Sequence, residues 1–317
     1  SPNKEHFKHL LDEDGNWSRR NDVWFVWRKQ GRGEGQVVSE LTVGLGAGEP
    51  GKIGPELQFG HLMGDYLQEP VLLIKTAWGG KSLAIDFRPP SAAMPTPEVL
   101  QSRLDRINES NAKNQRVPIS MAQMTREYGH YYRKMIGEVD DTLDNLGTLF
   151  PEFQNSEGYE IAGFVWFQGW NDGQSVELAS EYEENLVHLV HDVRQKYGPI
   201  PVVIGSSGFG KHAPSPNDGW VNRLRRHVEP AQIAAAARLD NVRCFETGDC
   251  LIPHPDRTSN SGIHHWFNSA ETYFLIGDGL GKTMKSLMDC SAGLSIAVPD
   301  SAETANEGSS HDVPQLD

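Results

Sequence analysis

Cysteine is scarce in this chain. Cys244, Cys250 and Cys290 are the only three in 317 residues, too few for the disulfide framework of a small secreted domain. Cys244 and Cys250 could pair, but the odd count favours incidental core thiols. Basic charge is short too: 29 Lys and Arg face 43 Asp and Glu, for a net charge of −14. With no cationic surplus to neutralise phosphates, the composition argues against a general nucleic-acid binder. It equally disfavours charge-driven docking on anionic membranes. Long apolar runs are lacking, and nothing approaches the ~18–20 residues of a membrane span. An initiating methionine is absent as well. The chain opens Ser1-Pro2, so it is expected to be processed or a fragment, with any signal peptide already removed.

What is present is ordinary globular composition, 38% apolar and 23% charged. The length suits one large α/β domain or two small ones. Apolar periodicity predicts strands over 22–29, 71–76, 161–167, 201–205 and 241–247, with helices over 55–66, 119–146, 179–197, 217–238 and 271–288. Segments 31–35 and 44–51 read as glycine-rich surface loops, without the lysine-serine ending of a P-loop. The alternation of strand and helix predicts an α/β fold: a single doubly wound three-layer domain with a mostly parallel sheet, over 1–290. Residues 291–317 read as a flexible acidic tail, although 294–298 could dock as a small strand.

Two strand exits carry the chemistry. Phe164-Val165-Trp166-Phe167 runs into Gln168-Gly169-Trp170-Asn171-Asp172, so an apolar strand ends abruptly in polar groups. Ligands in open α/β sheets bind outside the carboxyl ends of the strands. Val71 to Thr76 runs likewise into Ala77-Trp78-Gly79-Gly80-Lys81-Ser82, where paired glycines leave backbone N–H groups open to a ligand. Arg88 is a candidate cation, facing substrate or pairing within the scaffold. His188 and His191 stand three apart on a helix, and a solvated face explains them without a metal.

These pieces, with Gly54-Pro55-Glu56-Leu57-Gln58-Phe59-Gly60, Asp86-Phe87-Arg88-Pro89-Pro90 and Gly262-Ile263-His264-His265 running into Gly277-Asp278-Gly279-Leu280-Gly281, resemble the SGNH-hydrolase superfamily. The likeness lies with its carbohydrate-esterase branch around sialate O-acetylesterase and acetylxylan esterase family six, and it spans roughly 10–287. It implies a flavodoxin-like sheet and ester hydrolysis by a serine, with a histidine base, a group orienting that histidine, and donors for the oxyanion. His264 corresponds to the base, with His265 its neighbour and rival. The oxyanion donors would be the backbone N–H of Gly80 (or Gly79) and the Gln168 amide. Asn171 and Asp172 would hold the motif loop or meet substrate hydroxyls, and Trp78 and Trp170 would flank a sugar.

The chain departs from the family pattern in three places. Ser261 stands where many members carry an aspartate three residues before the histidine, which leaves Asp256 or Asp249 as the acid. Trp170 replaces the glutamate of Gln-Gly-Glu. The Gly-Gln-Ser-Asn nucleophile motif occurs nowhere in the 317 residues. Its expected place is just upstream of Ser1, on a central first strand, so an N-terminal peptide or a second chain is expected to complete the sheet. Ser207 does not complete Gly-x-Ser-x-Gly, and Ser82 neighbours the oxyanion site without being an evident attacker.

The expectation is therefore a serine-type carbohydrate O-acetylesterase acting on an acetylated carbohydrate. It would use no metal or organic cofactor and would work in the periplasm or outside the cell. The competing expectation is a non-catalytic carbohydrate-binding or structural protein on an esterase-like scaffold. A third is a metal hydrolase around His254, His264 and His265.

Overall fold

The computed structural model describes residues 4–29, 35–46, 51–154, 158–209, 219–251 and 263–295. Strands β1 (Arg20–Lys29), β2 (Gly35–Leu41), β3 (Val71–Lys75), β4 (Phe164–Phe167), β5 (Val202–Gly205) and β6 (Val242–Phe245) alternate with helices. These are α1 (Glu56–Tyr66), α2 (Pro97–Lys113), α3 (Met121–Arg126), α4 (His130–Asp144), α5 (Leu146–Leu149), α6 (Val176–Ser180), α7 (Tyr182–Tyr197), α8 (Trp220–Arg223), α9 (Glu229–Ala237) and α10 (Ala270–Ser295). The α/β class expected from the sequence is observed. The single continuous sheet is not.

Instead there are two three-stranded sheets, ordered β2-β1-β3 and β4-β5-β6. β1 pairs antiparallel with β2 and parallel with β3, Val23 facing Val71 and Trp27 facing Lys75. β4, β5 and β6 are parallel, in register from Phe164–Val202–Val242 onward. Among the described residues, no strand bridges β3 to β4.

A cavity of about 2160 Å³ lies between those two edges, lined along its length by residues 71–77 and 161–168. The strands record it in their burial. β5 is buried at every residue, whereas every residue of β3 is only half-buried. Two apolar cores flank this slot. The larger collects Leu186, Val190, Val203, Ile204, Ile276 and Leu280, and the smaller Val23, Phe25, Leu41, Leu57 and Phe274. Helix α10 ties them together, since it packs on α1 and also on β5 and β6.

Local chemistry explains most boundaries. Thr96 caps α2 by accepting from Val99 N–H, with Pro97 in the first turn. Ser120 and Gln123 form a capping box on α3. The long helix expected over 119–146 is broken, because Gly129 takes φ 68°, a left-handed conformation. Gly129 N–H and Tyr131 N–H then bond to Ile85 and Asp86 carbonyls, docking α4 on the loop after β3. The helix expected at 179–197 divides into α6 and α7, and a π-turn at Leu224–Val228 precedes Pro230 in α9. α10 runs on to Ser295, so Leu294 is helical and not part of a strand. The three cysteines are free thiols. No described helix is long and apolar enough to cross a membrane.

Candidate functional site

The exits of β3 and β4 meet. Gln168 Nε2 donates to Lys81 O at 2.9 Å, and Asp172 accepts from Leu83 N–H and Ala84 N–H, both at 2.9 Å. The loops leaving the two strands are therefore bonded together. Gly79 and Gly80 are exposed and line the slot. A Cβ built on either would meet no atom within 4 Å, so protein packing does not require them to be small. Gly80 does need its left-handed φ of 73°. What the pair leaves is open backbone beside the slot.

The turn after Gly80 is fixed from beneath. Ser82 N–H and Oγ both donate to Asp86 Oδ2, at 2.8 and 3.0 Å. Lys81 Nζ sits 3.4 Å from Asp86 Oδ1 and 4.1 Å from the centre of the Tyr131 ring. Asp172 is fully buried. Burial pushes its carboxyl up to about 6, while the N–H groups of Gln168, Leu83 and Ala84 hold it down. Of the two roles expected for Asp172, its buried position and its bonds to the loop backbone fit holding the motif loop.

Gln168 is more constrained than the sequence implied. Its two amide protons go to Lys81 O and to Asp172 Oδ2, the latter at 2.7 Å. Its Oε1 lies 3.0 Å from Tyr182 Oη. A flipped amide would aim its oxygen at a carbonyl and a carboxylate, so the orientation is determined. In this arrangement the side chain has no proton left for an oxyanion. Its backbone carbonyl is equally engaged, accepting from Tyr182 Oη (2.9 Å), Gln232 Nε2 (2.7 Å) and Ser207 Oγ (3.3 Å). Tyr182 and Gln232 were not singled out from sequence. Tyr182 reads as one more apolar-face residue of a helix. Gln232, a lone amide beside four alanines, was the available signal. Asn171 donates to Lys81 O at 3.3 Å through Nδ2 and accepts from Gln174 through Oδ1.

The serines near the site are occupied. Ser207 is buried and bonds to Gln168 and Gln232. Ser206 Oγ donates to Glu229 and accepts from Thr247 N–H. Ser82 is committed to Asp86. Arg88 proves to be scaffold, buried and bound to Glu181, Ala84 O and Ala93 O. Trp78 packs edge-on to Tyr131, ring centres 5.1 Å apart, and near Phe87. It is a half-buried wall of the slot, and its indole N–H has no protein partner. Trp170 stacks edge-on to Phe209 at 5.3 Å.

His264 and His265 lie in a turn, Ile263–Asn268, and His265 is exposed and lines the same slot. Trp266, Phe267 and Asn268 follow with φ of 50°, 54° and 58°. Three consecutive left-handed residues, two of them bulky, persist only where the surroundings hold them. Buried Trp266 against Phe209, ring centres 4.9 Å apart, supplies that hold. The His264 side chain, Asp256 and His254 lie outside what is described. Asp249 is exposed, in a turn at Thr247–Cys250.

Against known proteins, the family model for "Carbohydrate esterase, sialic acid-specific acetylesterase" matches residues 36–264, well over half of the chain. The comparison with curated proteins found no match. Among solved structures, a protein from Arabidopsis thaliana is similar at 14% identity and a TM-score of 0.49, covering 86% of this chain and 88% of that one.

Proposed function

This chain belongs to the carbohydrate esterase family described as sialic acid-specific acetylesterase, and on that footing we propose that it is a serine-type O-acetylesterase acting on an acetylated sugar or polysaccharide. The observation that carries the proposal is the open Gly79-Gly80 backbone, clamped to the β4 exit through Lys81, Leu83 and Ala84 and sharing a slot with His265.

In this mechanism a serine Oγ attacks the acetyl carbonyl. His264 takes the serine proton and passes it to the departing sugar hydroxyl. It then activates the water that releases acetate. Asp256 orients the imidazole. The oxyanion forms against Gly80 N–H, with Gly79 beside it. Because both Gln168 protons are engaged, the second donor is assigned to Asn171, whose amide has a proton beyond the one on Lys81 O. Gln168 and Asp172 brace the loop, and Trp78 and His265 contact the substrate. The attacking serine comes with a Gly-Gln-Ser-Asn segment of an N-terminal peptide or second chain. The esterase domain spans 1–290 with 291–317 as its tail, and a polymeric substrate puts the enzyme in the periplasm or outside the cell.

The test is hydrolysis of p-nitrophenyl acetate and of an acetylated sugar by the natural protein, with N-terminal sequencing of the same material. His264→Ala should cost about a thousandfold or more in kcat; undiminished turnover in that variant overturns the mechanism. The second reading, a non-catalytic carbohydrate-binding protein, draws on the internal bonding of Ser82, Ser206 and Ser207. It is supported if the natural protein binds acetylated sugar and turns nothing over.

A further inference from the structure

We propose that Ser91 and His188 form a second nucleophilic site, outside the slot, at which the serine hydroxyl accepts an acyl group from activated esters. None of the residues assigned to the esterase mechanism takes part in it.

From sequence, His188 is half of a histidine pair on a solvated helix face. In the fold the pair divides. His191 is exposed, whereas His188 is half-buried, with Nδ1 2.8 Å from Ser91 Oγ. Ser91 itself is exposed, so the hydroxyl that meets the ring is open to a small molecule from solvent. When the ring carries its proton on Nε2, Nδ1 accepts from that hydroxyl. This is the arrangement of a nucleophile and its general base.

Such a pair reacts only if its geometry is held, and here it is held from several sides. His188 stands in the middle of α7, between buried Val187 and Leu189. One turn later the same helix presents buried Asp192, which accepts from Ser91 N–H at 3.0 Å. So α7 grips the Ser91 backbone and faces its side chain with an imidazole. On the other flank Arg88 donates through Nε to Ala93 O at 3.1 Å and through Nη1 to Ala84 O at 2.9 Å. Ala92 N–H closes a turn on Pro89 O at 3.1 Å, and Pro89 and Pro90 restrict the chain that leads in. The distance between hydroxyl and ring is thus set by the scaffold. One turn before His188, Glu184 has its carboxyl held below the usual carboxylate range, first by Arg238 and also by the charge of His188. By the same interaction the carboxylate steadies the ring once it gains a proton.

In the reaction, Ser91 Oγ attacks the carbonyl carbon of the ester and His188 Nδ1 takes the hydroxyl proton. The bond from that carbon to the leaving oxygen then breaks, and the proton passes from His188 to the departing alcohol or phenol. The products are a serine ester and that alcohol, and nothing is oxidised or reduced. Ser91 stands at the surface, where the slot does not confine the donor. The site therefore selects its ester by leaving group and not by shape.

The probe is p-nitrophenyl acetate, incubated with the 317-residue chain and followed by peptide mass spectrometry. Ser102 and Ser110, exposed on α2, serve as internal references. Ser91 should acetylate about a hundredfold faster than either, and in His188→Gln its lead should shrink to about threefold or less. Unfolding the unsubstituted chain in urea should erase the lead as well, a comparison that needs no variant to fold. Equal rates at Ser91 and the α2 serines in the native chain overturn the proposal. So does a Ser91 rate that His188→Gln leaves unchanged, which would make the contact a structural bond alone. His264→Ala keeps the two sites apart. If it abolishes turnover and Ser91 still acetylates at full rate, both proposals stand. If the unsubstituted natural protein shows no turnover while Ser91 acetylates, the esterase assignment falls and the second site stands. Labelling of Ser91 that disappears in His264→Ala would mean that the acyl group arrives from the slot, and overturns the second site.

Discussion

Gly169 is the tightest residue of the β4 exit. It has φ 156°, and a Cβ there would sit 1.8 Å from Ser207 Oγ and 3.1 Å from Gln232 Nε2. Both neighbours are bonded to Gln168 O, so neither can retreat without leaving a buried polar group unpaired. Gly169→Ala should therefore cost about 2–4 kcal/mol in urea unfolding; a loss below 0.5 kcal/mol would mean that the exit is looser than drawn. Two buried titratable residues make an opposed pair. Burial lifts Asp172 to about 6 and depresses His61 to about 4. The folded state thus holds the Asp172 proton more tightly than the unfolded chain. That contribution is full below about pH 4 and is lost as pH rises to 6. His61 works in reverse: its neutral ring is favoured in the fold, and stability is gained as pH rises from 4 to 6.5. Each step is worth about 3 kcal/mol. Relative to His61→Gln, the natural protein should gain stability between pH 4 and 6.5. Relative to Asp172→Asn, it should lose stability between pH 4 and 6. Parallel pH curves for either pair would refute the corresponding assignment. At this scale the sequence shows which residues are polar at the strand end, and Gln168, Asn171 and Asp172 were visible as such. It does not show their partners, because Tyr182 and Gln232 arrive from separate helices.

Elements were legible where one periodicity ran undisturbed, and illegible where a single glycine or a tertiary contact overruled it. The apolar stripe from Met121 to Leu146 is continuous, which is why it reads as one helix. The break comes from Gly129, whose left-handed backbone brings the chain to 2.7 Å between a built Cβ and Arg88 O. β2 was hidden for a different reason. Its seven residues, Gly-Gln-Val-Val-Ser-Glu-Leu, begin in a glycine loop and alternate poorly, and pairing with β1 makes them a strand. The Gly129 turn holds α4 against the loop that carries Asp86 and Arg88, so its effect should reach the site. Gly129→Ala adds left-handed strain and a backbone clash, for about 1–3 kcal/mol. It should also release the Tyr131 N–H bond to Asp86 O, seen as faster exchange at Tyr131. Destabilisation without faster exchange there would show that the helix break and the loop are independent.

For the molecule as a whole, hydrophobic pattern reports which faces of a strand are buried and is silent about its edges. Val71 to Ile74 is apolar on both faces, and so is Val202 to Ile204; nothing local tells them apart. Yet β5 has a strand on each side, and among the described residues β3 has one on a single side. The expected single sheet is not seen among the described residues, whereas the mostly parallel order is: β1–β3, β4–β5 and β5–β6 pair parallel, and β1–β2 antiparallel. The difference has a measurable consequence. β5 is closed in by β4 and β6 and by α10, inside the larger core. β3 leans on β1 and a core of six buried residues, Leu10, Val23, Phe25, Leu41, Leu57 and Phe274, with a 2160 Å³ slot along its other edge. Opening of β3 should therefore require only part of the molecule to unfold, while opening of β5 requires nearly all of it. Native-state hydrogen exchange should find the β5 amides about a hundredfold more protected than those of β3. Their denaturant dependence should also be steeper, because more surface is exposed when they open. Equal protection and equal slopes would mean that the two half-sheets unfold as one unit, held together by α10 across the slot.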